Sequence, residues 1–173
     1  RCPSNRNACL SHPTHGLEQL EPGHWNDPDM LVVGTLGLAW RTELKPSSLT
    51  SDEQYTHITL WCLLAAPLLM GCDITQLDEF TLSLLTNDEV LAVNQDALGQ
   101  QGYCIIKDGD AEVWMKPLVD WTVAVGLFNR GLEEVNMEVK WQALGIQGSQ
   151  PVRDLWQRKD LRSHSDRLAP PVA

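Results

Sequence analysis

Two rhythms divide the chain. Between residues 30 and 99, short unbroken apolar runs alternate with helix-length stretches; after residue 99, apolar and polar positions alternate in closely spaced pairs of segments. Residues 30–33 (Met-Leu-Val-Val) form a continuous apolar run closed by Gly34, the pattern of a strand buried on both faces. Residues 34–50 hold Gly34, Gly37, Pro46 and several hydroxyl residues, and are predicted to be a long loop. Ser51-Asp52-Glu53-Gln54 has the spacing of a capping box, with Ser51 at the N-cap, and predicts a helix to about Ala66. Tyr55, Ile58, Cys62 and Ala65 share one face of it, widened by Leu60, Trp61, Leu63 and Leu64. Pro67 stops the helix. Residues 68–70 predict a second buried strand, ending at Gly71-Cys72-Asp73. A short helix over 78–85 follows, then a second capping box at Thr86-Asn87-Asp88-Glu89 and a helix to about Asn94.

Strand, loop, helix, repeated, implies a parallel sheet with crossover helices. An open doubly wound sheet and part of a (β/α)₈ barrel both satisfy it, and both place sites at strand C-terminal ends. Beyond residue 99 the segments 104–107 and 111–116 flank Asp108-Gly109-Asp110, a hairpin signal. Residues 121–128 alternate around Val123, Val125 and Leu127. Asn129-Arg130-Gly131 turns the chain, 135–141 alternate again, and 152–156 predict a fifth strand. This is an antiparallel sheet or sandwich. The predicted organisation is α/β over residues 1–100, then all-β over 101–173, with the tail 163–173 read as cut before a last strand.

Composition narrows the partners. With 43% hydrophobic residues among 173, a sizeable core is available. A formal net charge of −10 argues against nucleic acid or an anionic membrane surface and fits a neutral ligand. No apolar run is long enough to span a membrane. The chain shows no signal peptide and does not start with Met, and is read as a fragment of something longer. The spacings of Cys2, Cys9, Cys62, Cys72 and Cys104 match no zinc pattern; Cys62 and Cys104 lie in apolar runs, and a Cys2–Cys9 disulfide is left open. The chain has seven tryptophans, which matter because indole faces stack on sugar C–H surfaces, although most tryptophans are core residues.

The densest chemistry is Gly23-His24-Trp25-Asn26-Asp27-Pro28-Asp29-Met30. Pro28 biases Asp27 toward extended backbone, so Asp27 and Asp29 are predicted to project from one face of a strand edge. Three readings follow. The pair binds a hydroxyl-rich neutral ligand through charge-assisted hydrogen bonds. Or it is the acid and base of a hydrolase, although retaining glycosidases hold carboxyl groups ~5–5.5 Å apart on opposite sides of the bond they break. Or Asp27 is structural, accepting backbone N–H groups in an Asx-Pro turn. A metal site from His12, His15, His24 and the aspartates is weaker than solvated loop histidines. His57, inside the long helix, is read as exposed or core-capped. No phosphate loop or serine nucleophile elbow is present.

The run Pro22-Gly23-His24-Trp25-Asn26-Asp27-Pro28-Asp29-Met30-Leu31 resembles the melibiase-type α-galactosidases and α-N-acetylgalactosaminidases. The resemblance continues through Trp61, Ala65-Ala66-Pro67-Leu68-Leu69-Met70, Asn87-Asp88-Glu89-Val90, Val93-Asn94-Gln95-Asp96, Leu98-Gly99 and Gln101-Gly102. It implies the last two β/α units of a (β/α)₈ barrel followed by an antiparallel β-sandwich, in a retaining glycosidase acting on terminal α-galactosyl groups of oligosaccharides or glycoconjugates. It implies no metal or organic cofactor, no nucleic-acid or membrane partner, and an extracellular, periplasmic or lysosomal setting. Oligomeric state stays open.

In this family one Asp is the nucleophile and another the acid/base, and both align upstream of Arg1. Residues 1–15 do not match the helix the family carries there. No catalytic residue is therefore assigned here. The resemblance places Asp29 and Met30 on the wall of the sugar pocket, with Trp25 and Asp27 shaping the same strand end. Galactose and N-acetylgalactosamine are not distinguished. The alternative is a non-catalytic carbohydrate-binding module built on the β-domain and its tryptophans.

Overall fold

A computed structural model describes residues 27–37 and 43–172. The two apolar runs meet as parallel neighbours, Leu31 beside Met70: Leu31 N–H donates to Leu69 O at 2.7 Å and Gly71 N–H to Leu31 O at 3.0 Å. Gly71 permits this approach, because a Cβ there would sit 2.8 Å from Leu31 O. The runs are buried on one face only. Leu31 and Val33 lie in a core, whereas Met30, Val32, Leu69 and Met70 are 40–51% exposed. Among the described residues no second strand layer covers that other face.

The predicted loop contains a two-stranded antiparallel ladder, β1 (Thr35–Leu36) with β2 (Lys45–Pro46). Helix α1 spans Ser51–Leu63. Its cap is one residue earlier than predicted: Thr50 accepts from Glu53 N–H and Glu53 accepts from Thr50 N–H. The reason is Gln54, which is buried and turned inward, accepting from Gly34 N–H at 3.1 Å and donating to Leu49 O at 3.0 Å. The helix ends at Leu63, short of Ala66, and Ala65 takes φ +49° before Pro67. Helix α2 (Glu79–Leu85) is capped by Asp78. Helix α3 (Asp88–Asn94) is capped by Asn87, not Thr86, whose hydroxyl instead donates back to Leu82 O.

Helix α1 is a wedge between two cores. Ile58 and Cys62 pack with Leu31, Val33, Leu84 and Val90; Leu60 and Leu63 pack with Val93 of α3 and with Trp114, Ala124 and Phe128 of the β-part. The predicted hairpin is β3 (Tyr103–Asp108) with β4 (Ala111–Pro117), and β5 (Val123–Asn129) completes a three-stranded antiparallel sheet. Both faces of β4 are covered. Trp114 and Lys116 face α1, while Val113 packs with Met137, Val139, Trp141 and Leu144 of the second layer. Lys116 is fully buried, and its Nζ donates to Cys62 O at 3.2 Å. That carbonyl belongs to the last turn of α1, the negative end of the helix dipole.

The second layer departs from the predicted strands. Residues 135–141 break into β6 (Val135–Asn136), β7 (Val139–Lys140) and a 3₁₀ turn at Trp141–Leu144. Residues 152–156 supply only β8 (Arg153–Asp154), which turns back on β9 (Lys159–Asp160). The tail, predicted to stop before a last strand, holds β10 (Arg167–Leu168) paired with β7 and β11 (Pro171–Val172) paired with β6.

The β8–β9 hairpin docks on the helical part. Arg153 makes a two-pronged contact with Glu89, both bonds 2.6 Å, and Trp156 Nε1–H donates to Thr59 Oγ1 at 3.0 Å. Asn87 is buried at this junction: its Oδ1 caps Glu89 and Val90, and its amide donates to Leu155 O at 3.0 Å. Asn87→Ala should cost about 2 kcal/mol, the sum of a lost cap and a lost buried hydrogen bond. Asn87→Asp keeps the cap acceptor and should cost less. Urea denaturation of the two variants checks the order.

Candidate functional site

The site is built around Asp27-Pro28-Asp29-Met30. Asp27 Oδ1 accepts from Asp29 N–H at 2.9 Å, closing an Asx turn across Pro28. Asp29 takes φ +77°, left-handed backbone that Asp tolerates because its short side chain bonds locally. Here its Oδ1 accepts from Met30 N–H at 2.8 Å. This corrects the expectation of an extended segment with both carboxylates on one face. The turn takes up Asp27, and Asp29 is rotated out of strand geometry. Asp29 Oδ2 has no partner among the described residues, and Asp27, Asp29 and Met30 are all exposed.

The backbone around the turn is fixed by helix α1. Trp61 Nε1–H donates to Asp29 O at 3.1 Å, and Val32 N–H donates to His57 Nε2 at 3.1 Å. The two rings pack on each other with centroids 3.9 Å apart. His57 and Trp61 are one helical turn apart, so a single helix face grips the chain on both sides of Leu31. Sequence reasoning did not find this clamp; the i, i+4 spacing of an imidazole and an indole was its only signal.

An imidazole nitrogen that accepts must be unprotonated. Burial lowers the pKa of His57 from 6.5 to about 4. Between those values the unfolded chain binds a proton that the folded chain refuses, so stability falls as pH drops through that window and levels off below it. We expect a loss of about 1–2 kcal/mol between pH 7 and pH 5, read as a urea midpoint shift and flattened in His57→Gln.

Asp27 and Asp29 lie on the N-terminal side of Leu31, whereas the C-terminal side of the parallel pairing carries Thr35 and Asp73. Asp73 is committed to a local cap: it accepts from the N–H and hydroxyl of Thr75, which hold its pKa below the usual carboxylate range. Trp25, His12, His15, His24, Cys2 and Cys9 lie outside the described residues. Among the described residues no cluster of His, Cys, Asp and Glu is arranged to hold a metal ion, and no helix is long and apolar enough to cross a membrane. A shallow open cleft of about 300 Å³ lies elsewhere, between residues 65–68, residues 94–96 and Gly99.

The arrangement is an exposed carboxylate on a stiffened turn with a half-exposed methionine beside it. It can accept hydrogen bonds from neutral hydroxyls, but it does not place two carboxyl groups across a bond. Comparison with known proteins agrees with the order of the two parts. Residues 11–96 match the model described as Alpha galactosidase A, and residues 108–171 match the Alpha galactosidase C-terminal beta sandwich domain. The chain is 46% identical over 138 residues to alpha-galactosidase 2 of Arabidopsis thaliana, an alignment covering 79% of this chain and 32% of that protein. Among solved structures, it superposes on a GH27 β-L-arabinopyranosidase from Geobacillus stearothermophilus with a TM-score of 0.79 at 33% identity, covering 87% of this chain and 35% of that one. The corresponding values for α-galactosidase I from Mortierella vinacea are 0.78 and 29%, covering 90% and 38%.

The chain thus spans about a third of the length of the curated relatives it matches. Its fold is α/β followed by all-β, the closing β/α units of a (β/α)₈ barrel and a C-terminal antiparallel β-sandwich. The chain belongs to the α-galactosidase (melibiase) family.

Proposed function

We propose that this segment supplies one wall of the sugar pocket in a retaining glycosidase that releases terminal α-galactosyl groups. The observation that carries the reading is Asp29: an exposed carboxylate with one uncommitted oxygen, held by the Asp27 turn and the Trp61 clamp. Asp29 accepts from sugar hydroxyls, Met30 offers an apolar surface beside them, Asp27 keeps the turn rigid, and Trp25 shapes the adjoining chain. The nucleophile and the acid/base are carboxyl groups from strands before Arg1. The two units of the chain meet at residues 100–101, between the end of α3 at Asn94 and the start of β3 at Tyr103.

Double displacement at an anomeric carbon needs carboxyl groups on both sides of the scissile bond. A lone wall therefore binds without turning over. The isolated chain should leave a nitrophenyl α-galactoside intact, measured by nitrophenol release over hours. Turnover by this chain alone, abolished by a substitution within it, would overturn the reading.

A further inference from the structure

Four of the five tryptophans among the described residues have indole partners. Trp61 donates to Asp29 O, Trp114 to Glu112, Trp141 to His164 O and Trp156 to Thr59. Trp121 is different: it is 96% exposed, at the turn between β4 and β5, and its indole N–H has no partner among the described residues. It also sits at φ +69°, a conformation that costs a bulky L-residue about 1–2 kcal/mol and that Gly or Asn would take more readily. The turn is nevertheless well fastened. Leu118 N–H donates to Thr122 O, Trp121 N–H to Leu118 O, and Thr122 gives both N–H and hydroxyl to Asp120 Oδ1. Asp96 ties the turn to the helical part by accepting from both Leu98 N–H and Val119 N–H. Leu98 and Val119 are themselves 38% and 52% exposed. Asp96 also walls the open cleft bounded by residues 65–68 and Gly99.

We propose that Trp121 is a stacking platform for a neutral pyranose ring, forming a surface sugar-binding site on the β4–β5 turn. The class of ligand follows from size and charge. A stable protein partner, or a second copy of this chain, needs roughly 800 Å² from each side, more than these three side chains present. The net charge of −10, with Asp96 and Asp120 framing the patch, opposes nucleic acid and anionic lipid. A pyranose matches the area of one indole, pairing its C–H face with the ring. Its hydroxyls have Asp120, the residue before the platform, as a partner, since only Oδ1 of that carboxylate is engaged among the described residues. A preformed, rigid turn lowers the ordering cost of such a contact. One platform binds weakly, but a polysaccharide with many branches returns the ligand to it repeatedly. The site stands without the Asp29 pocket and takes any neutral sugar of suitable face.

The test is affinity electrophoresis of the full 173-residue chain in native gels with and without galactomannan. The unchanged chain should be retarded by the polysaccharide. Trp121→Ala and Trp121→Gly should each weaken retardation at least tenfold, and Trp121→Tyr should keep most of it. Thermal midpoints of the two small variants should not fall, because an indole this exposed packs on little, and Gly relieves the backbone. An unchanged chain that ignores galactomannan would overturn the proposal. So would a Trp121→Ala chain retarded like the parent.

Discussion

Asp29→Asn, in a full-length enzyme carrying this segment, should lower kcat/KM for an aryl α-galactoside by about 10- to 100-fold, the value of one or two charge-assisted hydrogen bonds. Asparagine is the informative replacement. It keeps an Oδ1 acceptor for Met30 N–H and tolerates φ +77°, so the Asx turn and the strand entry survive. What it loses is the negative charge on the uncommitted oxygen. Asp29→Ala would confuse two effects, because alanine at that φ adds backbone strain of about 1 kcal/mol or more. The thermal midpoint of the asparagine variant should stay close to that of the parent. Equal kinetics in parent and variant would remove Asp29 from the sugar site.

Gly126→Val should destabilise the junction of the two parts by about 3 kcal/mol. Gly126 lies on β5 facing α1, and a Cβ there would fall 2.6 Å from Leu63 Cδ1 and 2.8 Å from Phe128 Cε2. Leu63 is only 3% exposed and cannot swing clear. The clash would push α1 away from the sheet, and α1 carries the His57–Trp61 pair that fixes the Asp29 turn. Leu63→Ala alone should also cost about 2–5 kcal/mol by leaving a cavity. In the double variant the valine fills the space the leucine vacates, so the two losses should fall short of additive by about 1 kcal/mol or more. Strict additivity in urea unfolding would show that the Leu63–Gly126 contact does not join the parts.

How far residue patterns reached can be seen at α1. Its existence, and its start to within one residue, were readable from the capping signal and the apolar spacing. Its position as a wedge was not, because Ile58 and Cys62 serve one core while Leu60 and Leu63 serve another, and a linear pattern shows only a broad apolar face. The same double burial explains β4, where Lys116 lies fully buried though its charge reads as a surface signal. The β3–β4 hairpin was plain from Asp108-Gly109-Asp110, since that turn chemistry is local. The partners of β6 and β7 were hidden, because β10 and β11 lie some thirty residues downstream and each pairs over only two residues.

At the site, local chemistry was readable and orientation was not. The Asx-Pro turn was one of three readings of Asp27, and the 2.9 Å bond from Asp29 N–H has the geometry of that turn. The left-handed Asp29 was missed, because the i, i+2 rule assumes extended backbone that the turn prevents. Trp61 and His57 reach Asp29 and Val32 across 32 and 25 residues, a contact no spacing within either segment reveals.

The most direct measurement is the structure of a full-length enzyme containing this segment with galactose bound. An Asp29 carboxylate oxygen should lie about 2.5–2.8 Å from a sugar hydroxyl, with Met30 against the ring. Galactose bound with no contact to residues 27–30, or Asp29 turned away from it, would contradict the placing of this turn on the pocket wall.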